Sequence, residues 1–482
     1  MTWLLLTLHV LLITGFGLRI LLRRDMRPDV RLAWLLVMVL LPYVSCALYY
    51  FFGEVALGRV PSRKRLNVQE FCQAHGSSVA ADRTSATPSA GTTSIPARWQ
   101  PAFRYASSIN GFEALPGHLA ELMRDGDHAR AQLIADMDAA QREINVLYYI
   151  WLEDETGTHV AQALMRAAQR GVTCRAMVDG LGSRALVRSP LWKQMQQSGV
   201  HLSVALPINR PLTVMLTSRL DLRNHRKITL IDERITYIGS QNCADEAFRV
   251  KPRYAPWIDI MLRMQGPVVA QMQQTFASDW AQSQTAVEPP SIAPAQAVEQ
   301  GFHAIGIAEG PTERPRATPQ LVANLLAGAH HEVVISTPYF VPDTTVLDAL
   351  CSAALRDVQV TLILPARNDS WIVGAVSHSH YWRLLRAGVQ IHEFQPGLLH
   401  AKTLCLDGEV SFIGSTNLDL RSFDLNFENN VLLYDTVTTQ AIRERQQSYI
   451  QQSQQVTLEQ VMKTPMHKRI WSNLLSALSP VL

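Results

Sequence analysis

Two stretches of the chain set a histidine, a lysine and an aspartate at one repeated spacing. Asn224-His225-Arg226-Lys227 leads through Ile228-Thr229-Leu230-Ile231 to Asp232, and Gly239-Ser240-Gln241-Asn242 follows. Leu399-His400-Ala401-Lys402 leads through Thr403-Leu404-Cys405-Leu406 to Asp407, and Gly414-Ser415-Thr416-Asn417 follows. His225 and His400 lie 175 residues apart, as do Gly239 and Gly414. One His-x-Lys-x4-Asp match in a chain of this composition has a chance expectation on the order of 0.01. Lysine is scarce, at seven of the 44 cationic residues, so two matches with the same Gly-Ser-x-Asn extension mark an internal duplication.

This set suits phosphoryl transfer with no metal and no other cofactor. On a strand, positions i and i+2 share a face. His225 therefore stands beside Lys227 and His400 beside Lys402, with Arg226 and Ala401 turned the other way. The apolar residues that follow continue each strand into the core, Asp232 and Asp407 begin a turn, and a returning strand brings Ser240 and Asn242 back toward His225. One neutral imidazole can attack phosphorus while its protonated partner delivers a proton to the departing alkoxide. Two ammonium groups and two amide donors can hold the non-bridging oxygens. One histidine cannot do both jobs, so the site is expected where two lobes meet with their His-x-Lys strands facing each other.

The elements that position this set read as α/β. Strand-like runs (residues 144–152, 174–178, 228–231, 333–337, 358–364 and 403–406) alternate with helical stretches such as 157–169 and 344–355. Glu143-Ile144-Asn145-Val146, leading to Tyr149 and Asp154, parallels Glu332-Val333-Val334-Ile335, leading to Tyr339 and Asp343. A length of 482 residues, 47% hydrophobic and 18% charged, excludes a single small module, a collagen-like chain and a wholly disordered one. A net charge of +3 carries no signature of an obligate nucleic-acid binder, so phosphate recognition is local. The six cysteines are scattered, without a CxxC or a Cys/His cluster, and read as small buried residues.

Residues 3–22 and 32–52 are two apolar runs of about 20 residues, each long enough as a helix to cross a bilayer. The basic loop between them holds Arg23, Arg24, Arg27 and Arg31, and Arg59, Arg63, Lys64 and Arg65 follow the second run. Charge asymmetry therefore does not decide orientation. Residues 76–93 have almost no large apolar side chain and read as a flexible tether, and the proline-bearing stretch 282–296 separates two lobes. The expected division is a transmembrane hairpin at 1–55, a partly disordered linker at 56–101, a first lobe at 102–285, a linker at 286–300, and a second lobe at 301–482. The last lobe ends in a basic amphipathic segment around Lys468, Arg469, Ile470 and Trp471, suited either to anionic lipid or to docking on that lobe.

With these residues the sequence resembles the phospholipase D superfamily with two HKD motifs, and within it the bacterial cardiolipin synthases. The likeness spans nearly the whole chain, including Tyr49-Tyr50-Phe51-Phe52-Gly53 and Gly397-Leu398-Leu399-His400-Ala401-Lys402. It implies two duplicated lobes of mixed β-sheet flanked by helices, with the active site between them. It further implies a multi-pass protein of the bacterial inner membrane that moves a phosphatidyl group between two phosphatidylglycerols, giving cardiolipin and glycerol through a phosphohistidine. His225, Lys227, His400 and Lys402 with Ser240, Asn242, Ser415 and Asn417 would form the phosphate site, while Asp232 and Asp407 would mainly shape the hairpins. His225 is expected as nucleophile and His400 as acid and then base, with the reverse order open. The family also supplies a carboxylate that orients each histidine, for which Glu428 is the second-lobe candidate and Asp259 the first-lobe candidate. Tyr149, Trp151, Tyr339 and Trp371 would pack in the core or line an acyl channel. Phosphatidylglycerol and anionic membrane lipid are the expected partners, and nucleic acid is not. The rival readings are a phospholipase D that hydrolyses phospholipid and a membrane-tethered nuclease, the latter opposed by the low net charge. A non-catalytic lipid-binding protein would be expected to lose one of the four His and Lys residues, and none is missing.

Overall fold

The computed structural model describes residues 2–24, 26–53, 67–74, 94–208, 221–248, 250–283, 287–292, 296–314 and 316–479. The expected tether at 76–93 lies outside them. By internal contacts, Arg65–Pro207 with Leu222–Lys463 forms one unit, and Met1–Lys64, Ile208–Asp221 and Thr464–Leu482 form another.

The larger unit is organised by a sixteen-stranded sheet. Its described residues form twenty strands, sixteen in that sheet and four in two separate pairs. In the first half they are β1 (Leu115–Leu122), β2 (Glu143–Tyr148), β3 (Thr173–Asp179), β4 (His201–Ala205), β5 (Arg223–Asn224), β6 (Ile228–Ile231), β7 (Ile235–Gly239), β8 (Trp257–Ile258) and β9 (Met261–Gln265). The second half contributes β10 (Phe302–Glu309), β11 (Glu332–Ser336), β12 (Phe340–Val341), β13 (Gln359–Pro365), β14 (Gln390–Phe394), β15 (Leu398–Leu399), β16 (Thr403–Leu406), β17 (Val410–Gly414), β18 (Leu418–Asp419), β19 (Asn426–Tyr434) and β20 (Ser453–Val456). The order in the large sheet is β20-β14-β13-β11-β16-β17-β19-β10-β1-β9-β7-β6-β2-β3-β4, with β5 added beside β19; β8 pairs only with β15 and β12 only with β18, outside that sheet. Outward from the antiparallel β1/β10 seam, β1-β9-β7-β6-β2-β3-β4 repeats as β10-β19-β17-β16-β11-β13-β14. The duplication is thus repeated in topology, but the two copies share one continuous sheet rather than holding a sheet each.

Strands β2, β3 and β4, like β11, β13 and β14, are parallel. Parallel strands are covered on both faces, which explains their near-continuous apolar runs. Val146, Leu147, Ala176 and Val178 are buried, as are Val360, Leu362 and Ile363. Asp154 and Asp343, equivalent in the duplication, each cap the helix that follows by accepting a backbone N–H, from Gly157 and Val346.

Three boundaries differ from the sequence expectation. The helix Gln100–Asn110 packs Ala102, Phe103 and Ala106 in one core with Leu321 and Leu325 of the second half, because its apolar stripe finds its complement there. The helix Val68–Ala74, inside the expected linker, buries Phe71 and donates its Val68 N–H to Glu313. The described residues of the inter-lobe stretch are also tied down, with the Val298 N–H on the Gly117 carbonyl at 2.9 Å.

In the smaller unit α1 (Thr2–Leu22) forms as expected. The second apolar run does not make one helix. It folds as α2 (Pro28–Leu40) and α3 (Pro42–Phe52), because Pro42 has no N–H to continue the ladder and suits a first helical turn. The Ser45 hydroxyl donates to the carbonyls of Leu41 and Pro42 at the start of α3. Among the described residues no helix is long and apolar enough to cross a membrane. Ile20, Trp34, Met38 and Tyr49 pack together, with Trp34 edge-on to Tyr49. The C-terminal helix Met466–Leu478 exposes Met466, Ile470, Trp471 and Leu474.

Candidate active site

Both His-x-Lys segments lie between two short strands rather than inside one. Upstream of each, the chain pairs with the opposite half; downstream it joins its own. β5 runs parallel to the start of β19, in the register Arg223↔Asn426 and Asn224↔Phe427. β15 runs parallel to β8, in the register Leu398↔Trp257 and Leu399↔Ile258. One residue further on, the His225 N–H donates to the Phe427 carbonyl and the His400 N–H to the Ile258 carbonyl, both at 2.8 Å.

This crossing of strands decides which acid serves which histidine. His225 Nδ1 lies 2.8 Å from Glu428 Oε2, and His400 Nδ1 lies 2.5 Å from Asp259 Oδ1. Each carboxylate therefore orients the histidine of the other half, contrary to the lobe-by-lobe assignment from sequence. Burial pushes the His225 imidazole down to about 4, with Lys227 and Lys402 adding to it against the pull of Glu428. Burial and Lys402 lower His400 in the same way. Burial opposes ionisation of Glu428 and Asp259, but the neighbouring histidines and lysines outweigh it and hold both carboxyls below their usual range. With the acids ionised, Nδ1 of each histidine carries the proton and Nε2 is the nitrogen left for phosphorus.

The lysines repeat the symmetry. Lys227 Nζ donates to the His225 carbonyl and Lys402 Nζ to the His400 carbonyl, each at 2.7 Å. Burial lowers Lys227 to about 8 and Lys402 to about 7. Tyr149 stands edge-on to His225, and Trp257 packs on His400, both with centroids 4.8 Å apart.

The β6/β7 and β16/β17 hairpins form, but they carry Ser240 to the acid of His400 rather than to His225, and the serines take a different place. The Ser240 hydroxyl donates to Asp259 and the Ser415 hydroxyl to Glu428, and both serines are fully buried. They hold the orienting acids, and their hydroxyl protons are committed there. Asn242 accepts the Ile150 N–H, and the Asn417 amide donates to Ser422. Asp232 and Asp407 lie at the far ends of β6 and β16, in left-handed backbone with φ of 53° and 50°. Asp232 accepts the N–H groups of Gln141, Arg142 and Glu143; Asp407 accepts those of His330, His331 and Glu332 and also the Arg98 guanidinium. They pin the hairpin turn to β2 or β11 and do not join the catalytic centre. Asp407→Ala therefore lowers stability by about 3 kcal/mol, read as a lower thermal midpoint, while kcat of the folded enzyme stays within about twofold.

Sequence reasoning missed the support behind His225. Arg226, 1% exposed, donates to Asp279 and to the carbonyls of Glu428 and Glu309. Asn429 brackets Lys227, accepting its N–H and donating to its carbonyl. A signal existed in the polar run Asn426-Phe427-Glu428-Asn429-Asn430, because such residues on a buried strand require partners. Of the four aromatics, Trp151 is core, Tyr149 and Tyr339 are half-buried, and Trp371 is 64% exposed.

This geometry has matches among known proteins. Residues 133–280 and 322–450 match the family described as "Cardiolipin synthase, PLD-like domain", and residues 10–54 match "Phospholipase_D-nuclease N-terminal". Proteins called cardiolipin synthase A from Cronobacter sakazakii and Klebsiella pneumoniae are each 35% identical, covering 100% of this chain and 98% of theirs. The crystal structure of phosphatidylserine synthase from Haemophilus influenzae superposes with a TM-score of 0.59 at 17% identity, over 80% of this chain and 100% of that one. It shares the fold. A two-histidine centre built by duplication, and full-length relatives of one kind, lead to a single assignment: the chain belongs to the phospholipase D-like family of cardiolipin synthases.

Proposed function

We propose that this chain is a cardiolipin synthase, a phosphatidyltransferase acting on phosphatidylglycerol. The observation that carries the chemistry is the pair of imidazoles, each with Nδ1 on an ionised acid. His225 is the nucleophile: its Nε2 attacks phosphorus, the P–O bond to the headgroup glycerol breaks, and His400 gives that oxygen its proton. His400 then takes the proton from the hydroxyl of a second phosphatidylglycerol, whose oxygen attacks the phosphohistidine and frees His225. His225, with a side chain 10% exposed against 3% for His400, is the more accessible of the two.

Both histidines are biased to the neutral form, which suits attack. The phosphodiester anion, once between them, favours a proton on the pair and full charge on Lys227 and Lys402. The free enzyme must keep His225 neutral, His400 protonated and both lysines charged. kcat/KM accordingly rises with pH as His225 loses its proton at about 4, and falls as His400, itself held below the usual imidazole range, loses its own. It falls again through about 7, where Lys402 loses its proton. A profile flat across pH 6 to 9 contradicts these lysine roles.

The apolar helices α1, α2 and α3 attach the protein to the bacterial inner membrane. In the finer reading α1 makes one crossing, and α2 with α3 makes the second around the break at Pro42. The outward apolar side chains of Leu11, Leu18, Leu36, Val39 and Val44 support it. The deciding experiment supplies phosphatidylglycerol in mixed micelles with EDTA and follows the lipids by mass spectrometry. Cardiolipin with stoichiometric glycerol is the expected product; phosphatidic acid alone identifies a hydrolase instead.

A further inference from the structure

A diacyl lipid whose headgroup sits between buried histidines must leave its acyl chains in the bilayer, so some part of the rim has to meet that bilayer. One part has the required surface. Behind His400 the rings of Trp257 and Phe248 stack in turn, with 3.9 Å between the latter two. Two residues after Phe248 comes Val250, 61% exposed, and then Lys251. Lys251 Nζ reaches across to Asp369 of the second half at 2.5 Å, and Asp369 also accepts the hydroxyl of Tyr339. Two residues beyond Asp369, Trp371 opens a helix with 64% of its surface exposed. The bridge thus ties the loop that carries Val250, in the first half, to the turn that leads into Trp371, in the second. Arg253 and Arg367, three and four residues from Val250 and Trp371 in the chain, are also exposed, and Asp369 is neutralised by Lys251.

We propose that Val250 and Trp371 form a lip that enters the outer few ångströms of an anionic bilayer next to His400, with Arg253 and Arg367 against lipid phosphates. Exposed tryptophan and valine gain by leaving water, and the cationic groups match the charge of the phosphatidylglycerol surface. The lip brings a headgroup to the histidines without lifting the acyl chains out of the membrane. This inference rests on a diacyl lipid being the substrate.

The test uses the full chain reconstituted in vesicles of phosphatidylglycerol and phosphatidylcholine. All six native cysteines are buried, so Trp371→Cys takes an environment-sensitive fluorophore selectively. Its emission shifts to the blue, and lipids brominated on the acyl chain quench it. Val250→Ser with Trp371→Ser lowers transfer on vesicles by about tenfold or more, against less than about threefold on dihexanoyl phosphatidylglycerol below its critical micelle concentration. An unquenched label, or equal losses on both substrates, overturns the lip. Should the unaltered enzyme make no cardiolipin from either presentation, the proposed function fails, and the quenching still judges the lip by itself.

Discussion

His225→Ala abolishes transfer, by on the order of 10^4-fold or more, whatever the leaving group, because it removes the nitrogen that, with His400 as acid, forms the covalent bond to phosphorus. His400→Ala falls comparably on phosphatidylglycerol but recovers most of its first step on phosphatidyl-p-nitrophenol, whose leaving group departs without a proton. Release of p-nitrophenolate, followed by absorbance in single turnovers, separates the two. Recovery in the His225 variant instead assigns the nucleophile to His400, and recovery in neither removes the division of labour.

The second large effect concerns the acids. Glu428→Gln keeps the size of the side chain but removes the charge that fixes the His225 tautomer, and lowers kcat by on the order of 10^3-fold. The crossing of strands gives this a specific signature. In double-mutant cycles Glu428→Gln is strongly non-additive with His225→Ala. It is closer to additive with His400→Ala in the first step on the activated substrate. Asp259→Asn shows the reverse pattern. Coupling of Glu428 to His400 instead would contradict the 2.8 Å contact between Glu428 and His225.

Much of the centre was legible because duplication writes local patterns twice. The strands at 228–231 and 403–406 form over those same residues, and the spacing brings Ser240 and Asn242 back on a hairpin. The partner of each histidine was not legible. It depends on β5/β19 and β15/β8, two residue pairs each, made between segments some 200 and 140 positions apart, and nothing in a local period reports contacts of that range. The place of the serines followed from the same gap: with the acids misassigned, a hydroxyl near the centre reads as a phosphate donor. The break in the second apolar run was visible as Pro42, but hydropathy summed over twenty residues outweighed one residue that hydropathy scarcely registers.

The exchange of acids between the halves also says something about history. A lone ancestral repeat would have held a histidine with its acid out of reach, since the strand beside that histidine comes from the other copy. Such a unit would work only as a symmetric pair, one copy lending its carboxylate to the other, and holding both copies in one chain makes the pairing permanent. Within one chain the two copies can differ. Arg226 and Ala401, which occupy the same place in the two motifs, show that difference: one copy has a buried guanidinium behind its histidine and the other a methyl group.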